Sequence, residues 1–316
     1  MITAETRQPV RARSAWRPAD FETPDAYSFT LTGAHFAAFD RALAANRGAG
    51  RQTEDLTADD FPLESIAVDL SAWRDEVLHG RGFVVLRELP RDRYAEDDLG
   101  TLFFGLGTHF GRAVSQSSMG DRLGHVVDVG GKDRRERAYR TSRELTLHTD
   151  RCDVVGMLCL EKAAAGGLSG YASAHTIYND VLASRPDLLD PLFTGFRYHR
   201  RGEELPGEPV VTPYRVPVLS ESGGELSTVF LRAYIEMAAK ELGVPLTERE
   251  VAALDCFEEV GRFEDDGCAG HTRHLLRLWL MLDGLRPLTP EVHAYKGTAG
   301  ILGHEGRSTY YRGHAI

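Results

Sequence analysis

Within Glu144-Leu145-Thr146-Leu147-His148-Thr149-Asp150 an imidazole and a carboxylate stand two residues apart. If the stretch is a strand, alternate side chains share a face, so His148 and Asp150 project together from one edge. A nitrogen and an oxygen donor converging in that way supply two legs of a facial metal site. A second His from elsewhere would complete a 2-His-1-carboxylate set that leaves positions open on Fe(II). By itself H-x-D is a weak signal in a chain with 12 histidines, and the plain alternative is a surface His beside a turn Asp.

A second chemical feature is Arg277, which interrupts the apolar run Leu275-Leu276-Arg277-Leu278-Trp279-Leu280. An arginine buried there requires an anionic or carboxylate partner. Arg273, four residues earlier, falls on the same face if the run is a strand, although next to His274 it also reads as a solvated charge. Other signals are weaker. Gly105-Leu106-Gly107-Thr108-His109-Phe110-Gly111 resembles a phosphate loop, but the third glycine is one place late and no acidic partner frames it, so a turn is expected. Ser169 in Gly167-Leu168-Ser169-Gly170 misses the G-x-S-x-G elbow of serine hydrolases by one residue. The run Lys132-Asp133-Arg134-Arg135-Glu136-Arg137 alternates in sign and reads as a solvated loop. Tyr310-Tyr311 reads as tail packing.

These residues need elements to hold them. Residues 1–30 show no apolar periodicity and are expected to form a loose arm, with a single domain over 31–316. Helical spacing runs through His35 to Leu43 and closes at Gly48-Ala49-Gly50; Leu70, Trp73 and Val77 share the face of a helix that ends at Gly80. Gly82 to Arg87 has the pattern of a buried strand. From Gly124 onward, short apolar runs alternate with turn residues: 124–129, 154–160, 217–219 and 275–280. Helices are expected at 174–185, stopped by Pro186, at 234–241, and from Thr247 to about Glu259. Short strands at modest spacing predict a mainly β fold with flanking helices (α+β), its antiparallel sheets packed as a jelly roll.

Composition narrows the function classes. The chain has 316 residues, a formal charge of −10, 42% hydrophobic and 27% charged residues. That is an average globular composition, with a charge that disfavours nucleic acid and anionic membrane surfaces. The start lacks an apolar leader and no stretch approaches about 20 apolar residues. The four cysteines form no C-x-x-C pair and read as reduced thiols, so a cytoplasmic protein acting on a small molecule is expected, with self-association into a homo-oligomer left open.

The block from Tyr139-Arg140-Thr141-Ser142 through His148-Thr149-Asp150-Arg151-Cys152-Asp153, followed by Leu158-Cys159-Leu160, Gly166-Gly167-Leu168-Ser169 and the later Arg273-His274-Leu275-Leu276-Arg277-Leu278-Trp279-Leu280, closely resembles the taurine dioxygenase-like family of Fe(II)/2-oxoglutarate-dependent oxygenases. The resemblance spans about residues 80–295. It implies a double-stranded β-helix in which His148 and Asp150 match the metal-binding H-x-D. Ser169 and the arginines Arg273 and Arg277 match the residues that hold the carboxylate of 2-oxoglutarate, a task suited to a bidentate guanidinium. The implied reaction consumes O2 and 2-oxoglutarate, releases succinate and CO2, and hydroxylates or otherwise oxidises a small organic metabolite. Glu203 to Pro206 and Tyr139 to Ser142 are expected beside the substrate.

The resemblance departs at one place. Before the Phe-Glu-Asp element, here Phe263-Glu264-Asp265, family members carry a P-G-D strand and an Asn-containing strand ending in the second metal His, usually within H-x-R. Here Cys256 to Phe263 runs straight through. Either the chain lacks this segment or the sequence as written has lost it. Loss of two core strands would expose sheet edges, a large cost for a domain stable by about 5–15 kcal/mol. Candidate substitutes for the His are His271, His274, His304 and Glu258. The alternative function is a catalytically inactive relative that keeps the fold as a binding or scaffold protein.

Overall fold

The computed structural model describes residues 7–117, 120–126, 145–162, 169–204, 207–261, 274–282 and 288–297. In chain order its elements are β1 (Ser28–Thr30), α1 (Gly33–Ala49), α2 (Ala67–Leu78), β2 (Val85–Arg87), α3 (Glu96–Thr108), β3 (Arg112–Ala113), β4 (Leu123–Val126), β5 (Val154–Glu161), α4 (Ala174–Ser184) and α5 (Leu189–Thr194). There follow β6 (Leu219–Ser222), β7 (Glu225–Thr228), α6 (Arg232–Leu242), α7 (Glu248–Gly261), β8 (His274–Met281) and α8 (Pro290–Lys296). Among the described residues helix outweighs strand. The mainly β expectation therefore gives way to mixed helices and sheets, because several short apolar runs, such as Pro217 to Leu219, supply only the small β6–β7 hairpin.

The sheet that matters for the site is built around β8. β5 pairs along one edge of β8, from Val154 opposite Leu280 to Glu161 opposite His274. β4 and β3 pair end to end along the other, Leu123 to Val126 opposite Leu278 to Leu275 and Arg112 and Ala113 opposite Met281 and Leu280. Alternation then sorts the side chains. Leu276, Leu278 and Leu280 enter a core shared with Phe39, Phe61, Trp73 and Phe104 from the N-terminal helices. Arg277, Trp279 and Met281 take the other face. Each fully buried leucine stabilises by about 1.5–3 kcal/mol, and a slip of one residue would put Arg277 among them, so the pattern fixes the register.

A second core joins α4, α5, α7, α8 and β6 through Tyr178, Leu192, Tyr198, Val218, Phe257 and Tyr295. Two expectations are corrected. Gly105 and Gly107 lie inside α3, not in a turn: a Cβ on either would stand 2.3 Å from the Phe61 ring or 2.5 Å from Leu278, so the glycines let the helix approach its neighbours closely. Residues 7–30 are also not loose. Val10 N–H donates to Asn179 Oδ1 (2.8 Å), Asn179 Nδ2 donates to Val10 O (2.9 Å), and the Trp16 indole donates to Arg81 O (2.8 Å). Such docking through individual hydrogen bonds leaves no apolar period in the sequence. Among the described residues no helix is long and apolar enough to cross a membrane.

Candidate functional site

Residues 145–150 are irregular chain, not the expected strand. The cause lies in where the backbone bonds go: Thr149 N–H donates to Phe230 O (2.8 Å), and the return bond comes from Phe230 N–H to the Thr149 hydroxyl (2.9 Å), so a side chain replaces the ladder. Farther on, Asp153 N–H donates to Leu280 O (3.0 Å), and the chain enters β5. The segment thus bridges the second core and the β8 sheet.

The pair expected from the sequence nevertheless meets. His148 Nε2 lies 4.0 Å from Asp150 Oδ1. The other atom of each group is occupied. His148 Nδ1 stands 2.7 Å from Thr146 O; a carbonyl only accepts, so Nδ1 carries a hydrogen, and Nε2 is the ring nitrogen on the side of Asp150. Asp150 Oδ2 accepts from the Trp279 indole N–H at 2.9 Å, which leaves Oδ1 toward the imidazole. Metal-binding imidazoles and carboxylates are typically held by this kind of outer partner. Ligand bonds of about 2.0–2.2 Å place two cis ligand atoms about 3 Å apart, so Nε2 and Oδ1 would close by about 1 Å to share one ion at a facial site.

Arg277 completes the charge pattern. It is 5% exposed, its Nε donates to Gln116 Oε1 at 2.6 Å, one terminal nitrogen lies 3.9 Å from Asp150 Oδ2, and its guanidinium carbon is 5.3 Å from the centre of the Trp279 ring. Gln116 is itself buried and donates to Arg122 O (3.0 Å) and Arg277 O (2.9 Å), which fixes its amide. Val114, Cys152, Trp279 and Met281 form a small apolar cluster beside these groups. Burial, assisted by the Asp150 charge, pushes the Cys152 thiol up and keeps it protonated.

α8 anchors the chain just after Asp150. Arg151 donates to Tyr295 O from Nε (3.0 Å) and a terminal nitrogen (2.7 Å), and Lys296 Nζ lies 3.1 Å from Asp153 Oδ1. Glu203, expected beside the substrate, is buried and takes the other side of Arg151 at 3.3 Å.

The remaining expectations divide. Ser169 is exposed in the chain that leads to α4 and makes no hydrogen bond to the His148, Asp150 and Arg277 group among the described residues. Glu258 is bound to Arg232 at 2.7 Å, and His274 points to the opposite face of β8 from Arg277, toward His125. Arg273, His271, His304, Tyr139 to Ser142, Gly166 to Leu168, Leu205, Pro206 and Phe263 to Asp265 lie outside the described residues. Among the described residues no third His, Cys, Asp or Glu joins His148 and Asp150 in a metal-sized group. Sequence reasoning missed Trp279 and Gln116. The parity of Trp279 with Arg277 in β8 carried a signal, whereas nothing near Gln116 marks it.

Comparison with known proteins follows this geometry. Among curated proteins the chain is 29% identical over 325 aligned positions to FR-33289 synthase of Streptomyces rubellomurinus (strain ATCC 31215), covering 92% of this chain and 95% of the synthase. It is 30% identical over 188 positions to the taurine hydroxylase-like protein SAT17 of Stachybotrys chartarum (strain CBS 109288 / IBT 7711), covering 56% and 49%. Its fold is similar to that of an asparagine oxygenase solved with Fe(II), 2S,3S-3-hydroxyasparagine and succinate, at a TM-score of 0.52 and 16% identity over 84% of this chain and 90% of that one. Residues 48–262 match the family described as "Taurine catabolism dioxygenase TauD, TfdA family", a match that begins earlier than residue 80 and stops one residue past α7. The chain belongs to that family of dioxygenases.

Proposed function

We propose that this chain is an Fe(II)/2-oxoglutarate-dependent oxygenase of a small organic metabolite, one domain from residue 31 onward, cytoplasmic, with its β8 sheet forming one wall of a jelly roll. The observation that carries the reading is the pairing of His148 Nε2 with Asp150 Oδ1, each with its second atom already tied down. These two residues would hold the metal. Arg277, with Arg273 and Ser169 as further candidates, would hold the carboxylate of the cosubstrate. With iron bound, the site would couple oxidation of 2-oxoglutarate to succinate and CO2 with hydroxylation of the substrate by O2.

The protein's own contributions are positional. The Thr146 carbonyl selects the imidazole tautomer, the Trp279 indole orients the carboxylate, Arg277 supplies fixed positive charge, and the Val114, Cys152 and Met281 side chains exclude water. Anaerobic titration with Fe(II) and 2-oxoglutarate tests the reading: the absorption band of the iron–2-oxoglutarate chelate should grow in with the wild-type protein and be lost in His148→Ala, along with succinate release. Unchanged turnover in that variant would place the metal elsewhere.

The second reading is an inactive relative that acts as a binding protein, motivated by the lack, among the described residues, of a third His, Cys, Asp or Glu beside His148 and Asp150. The alignment with FR-33289 synthase is longer than the 316 residues of this chain, so the synthase carries residues that this chain lacks. Binding of 2-oxoglutarate with no iron-dependent succinate release at any enzyme concentration would decide for it.

A further inference from the structure

On the face of the β8 sheet opposite Arg277, His125 of β4, His274 of β8 and Glu96 at the start of α3 come together. His125 Nδ1 and His274 Nε2 are 2.9 Å apart, with ring centres 5.2 Å apart, and His274 Nδ1 lies 4.0 Å from Glu96 Oε1. One ligand atom from each of the three falls within 4.8 Å of the others. The sheet places the two imidazoles: His125 stands opposite Leu276 in the ladder, and His274 is two residues from Leu276 on the same face, so they are diagonal neighbours across the β4–β8 seam. A cavity of about 290 Å³ lined by Thr53, Glu96, Asp97, Gly100, Leu123, His125 and Leu276 opens beside them.

We propose that Glu96, His125 and His274 form a second, exchangeable site for a divalent transition metal of the Zn(II), Ni(II) or Cu(II) type. Two imidazole nitrogens and a carboxylate oxygen are a donor set that such ions prefer over Mg(II) or Ca(II), which favour oxygen alone. Three protein ligands leave a fourth position to water, the pattern of an open site and not of a closed structural one. The site is independent of the dioxygenase reading, because β8 separates it from Asp150 and Arg277. An ion held there ties the N-terminus of α3 to the first residue of β8, three positions before Arg277, and stabilises the folded chain by mass action.

Zn(II) binding measured calorimetrically in the His148→Ala protein isolates this site from the dioxygenase pair. One equivalent of Zn(II) should bind, with affinity falling at least tenfold in His125→Gln and in Glu96→Gln, both exposed positions where the fold should tolerate the change. Thermal melting is the second readout: Zn(II) should raise the midpoint of the His148→Ala protein and leave it unmoved once Glu96→Gln or His125→Gln is added. Equal Zn(II) stoichiometry and equal midpoint shifts with and without these substitutions, or no Zn(II) bound at all, would overturn the assignment.

Discussion

Gly261, the last residue of α7, lies against Leu147, the residue before His148. A Cβ at position 261 would stand 2.4 Å from Leu147 Cδ2 and 3.0 Å from Ile177 Cδ1. The end of α7 thus sets the height of the chain that carries the imidazole. Overpacking here should cost about 1–3 kcal/mol, and because Leu147 must move, the displacement reaches His148. Gly261→Ala is expected to lower both the denaturation midpoint and Fe(II) affinity. A variant that loses stability while binding Fe(II) as tightly as wild type would show that the two are uncoupled.

The indole bond to Asp150 predicts a separable effect. Trp279→Phe keeps an aromatic ring in the apolar cluster and deletes the donor 2.9 Å from Oδ2. Loss of such an outer partner typically weakens metal binding about 10–100-fold. Fe(II) affinity in Trp279→Phe should fall by at least the lower figure, with the 2-oxoglutarate affinity of the metal-free protein unchanged, both measurable by titration.

Arg277 donates from Nε to Gln116 Oε1 (2.6 Å), and a lysine has neither that nitrogen nor the planar guanidinium. Removing the acceptor on its Nε, in Gln116→Leu, takes a buried partner from a charged donor and should destabilise by about 1–3 kcal/mol. Arg277→Lys should lose 2-oxoglutarate affinity about as severely as Arg277→Met. If the lysine variant retained wild-type affinity, charge alone would account for the role of this position.

Helix α7 begins with a reciprocal cap: Thr247 N–H donates to Glu250 Oε2 (2.9 Å), and Glu250 N–H donates to the Thr247 hydroxyl (3.2 Å). Burial pushes the Glu250 carboxyl up, but the Thr247 hydrogen bonds and the Arg215 guanidinium outweigh it, leaving the group below its usual range. A carboxyl lowered in the folded state adds stability above its unfolded pKa, and that contribution is lost as pH falls through the folded value. Glu250→Ala should therefore cost about 1 kcal/mol near neutrality and less below about pH 4. Urea denaturation of both proteins at pH 7 and pH 3 would show the difference narrowing.

Residue type revealed more of the site than local conformation did. The approach of His148 to Asp150 and the burial of Arg277 were legible because H-x-D and a charge inside leucines are chemically conspicuous. The expected strand at 145–150 was not realised because Thr149 spends its hydrogen bonds on Phe230, a partner 81 positions away that no local pattern reveals. Trp279 looked like ordinary core, since nothing in an apolar run says where an indole N–H will point. The helices α4, α6 and α7 followed from their periodicity, whereas α3 was obscured by glycines whose use is to admit Phe61 and Leu278.

β8 is located by more than one neighbour. The strand is clamped on both edges, by β5 and by β3 with β4, over nearly its whole run. Sliding β8 along its axis would break the hydrogen bonds of both ladders at once, so its position has to agree with two edges independently. The three partners act like a vernier, and only where both scales coincide do Arg277 and Trp279 stand beside Asp150.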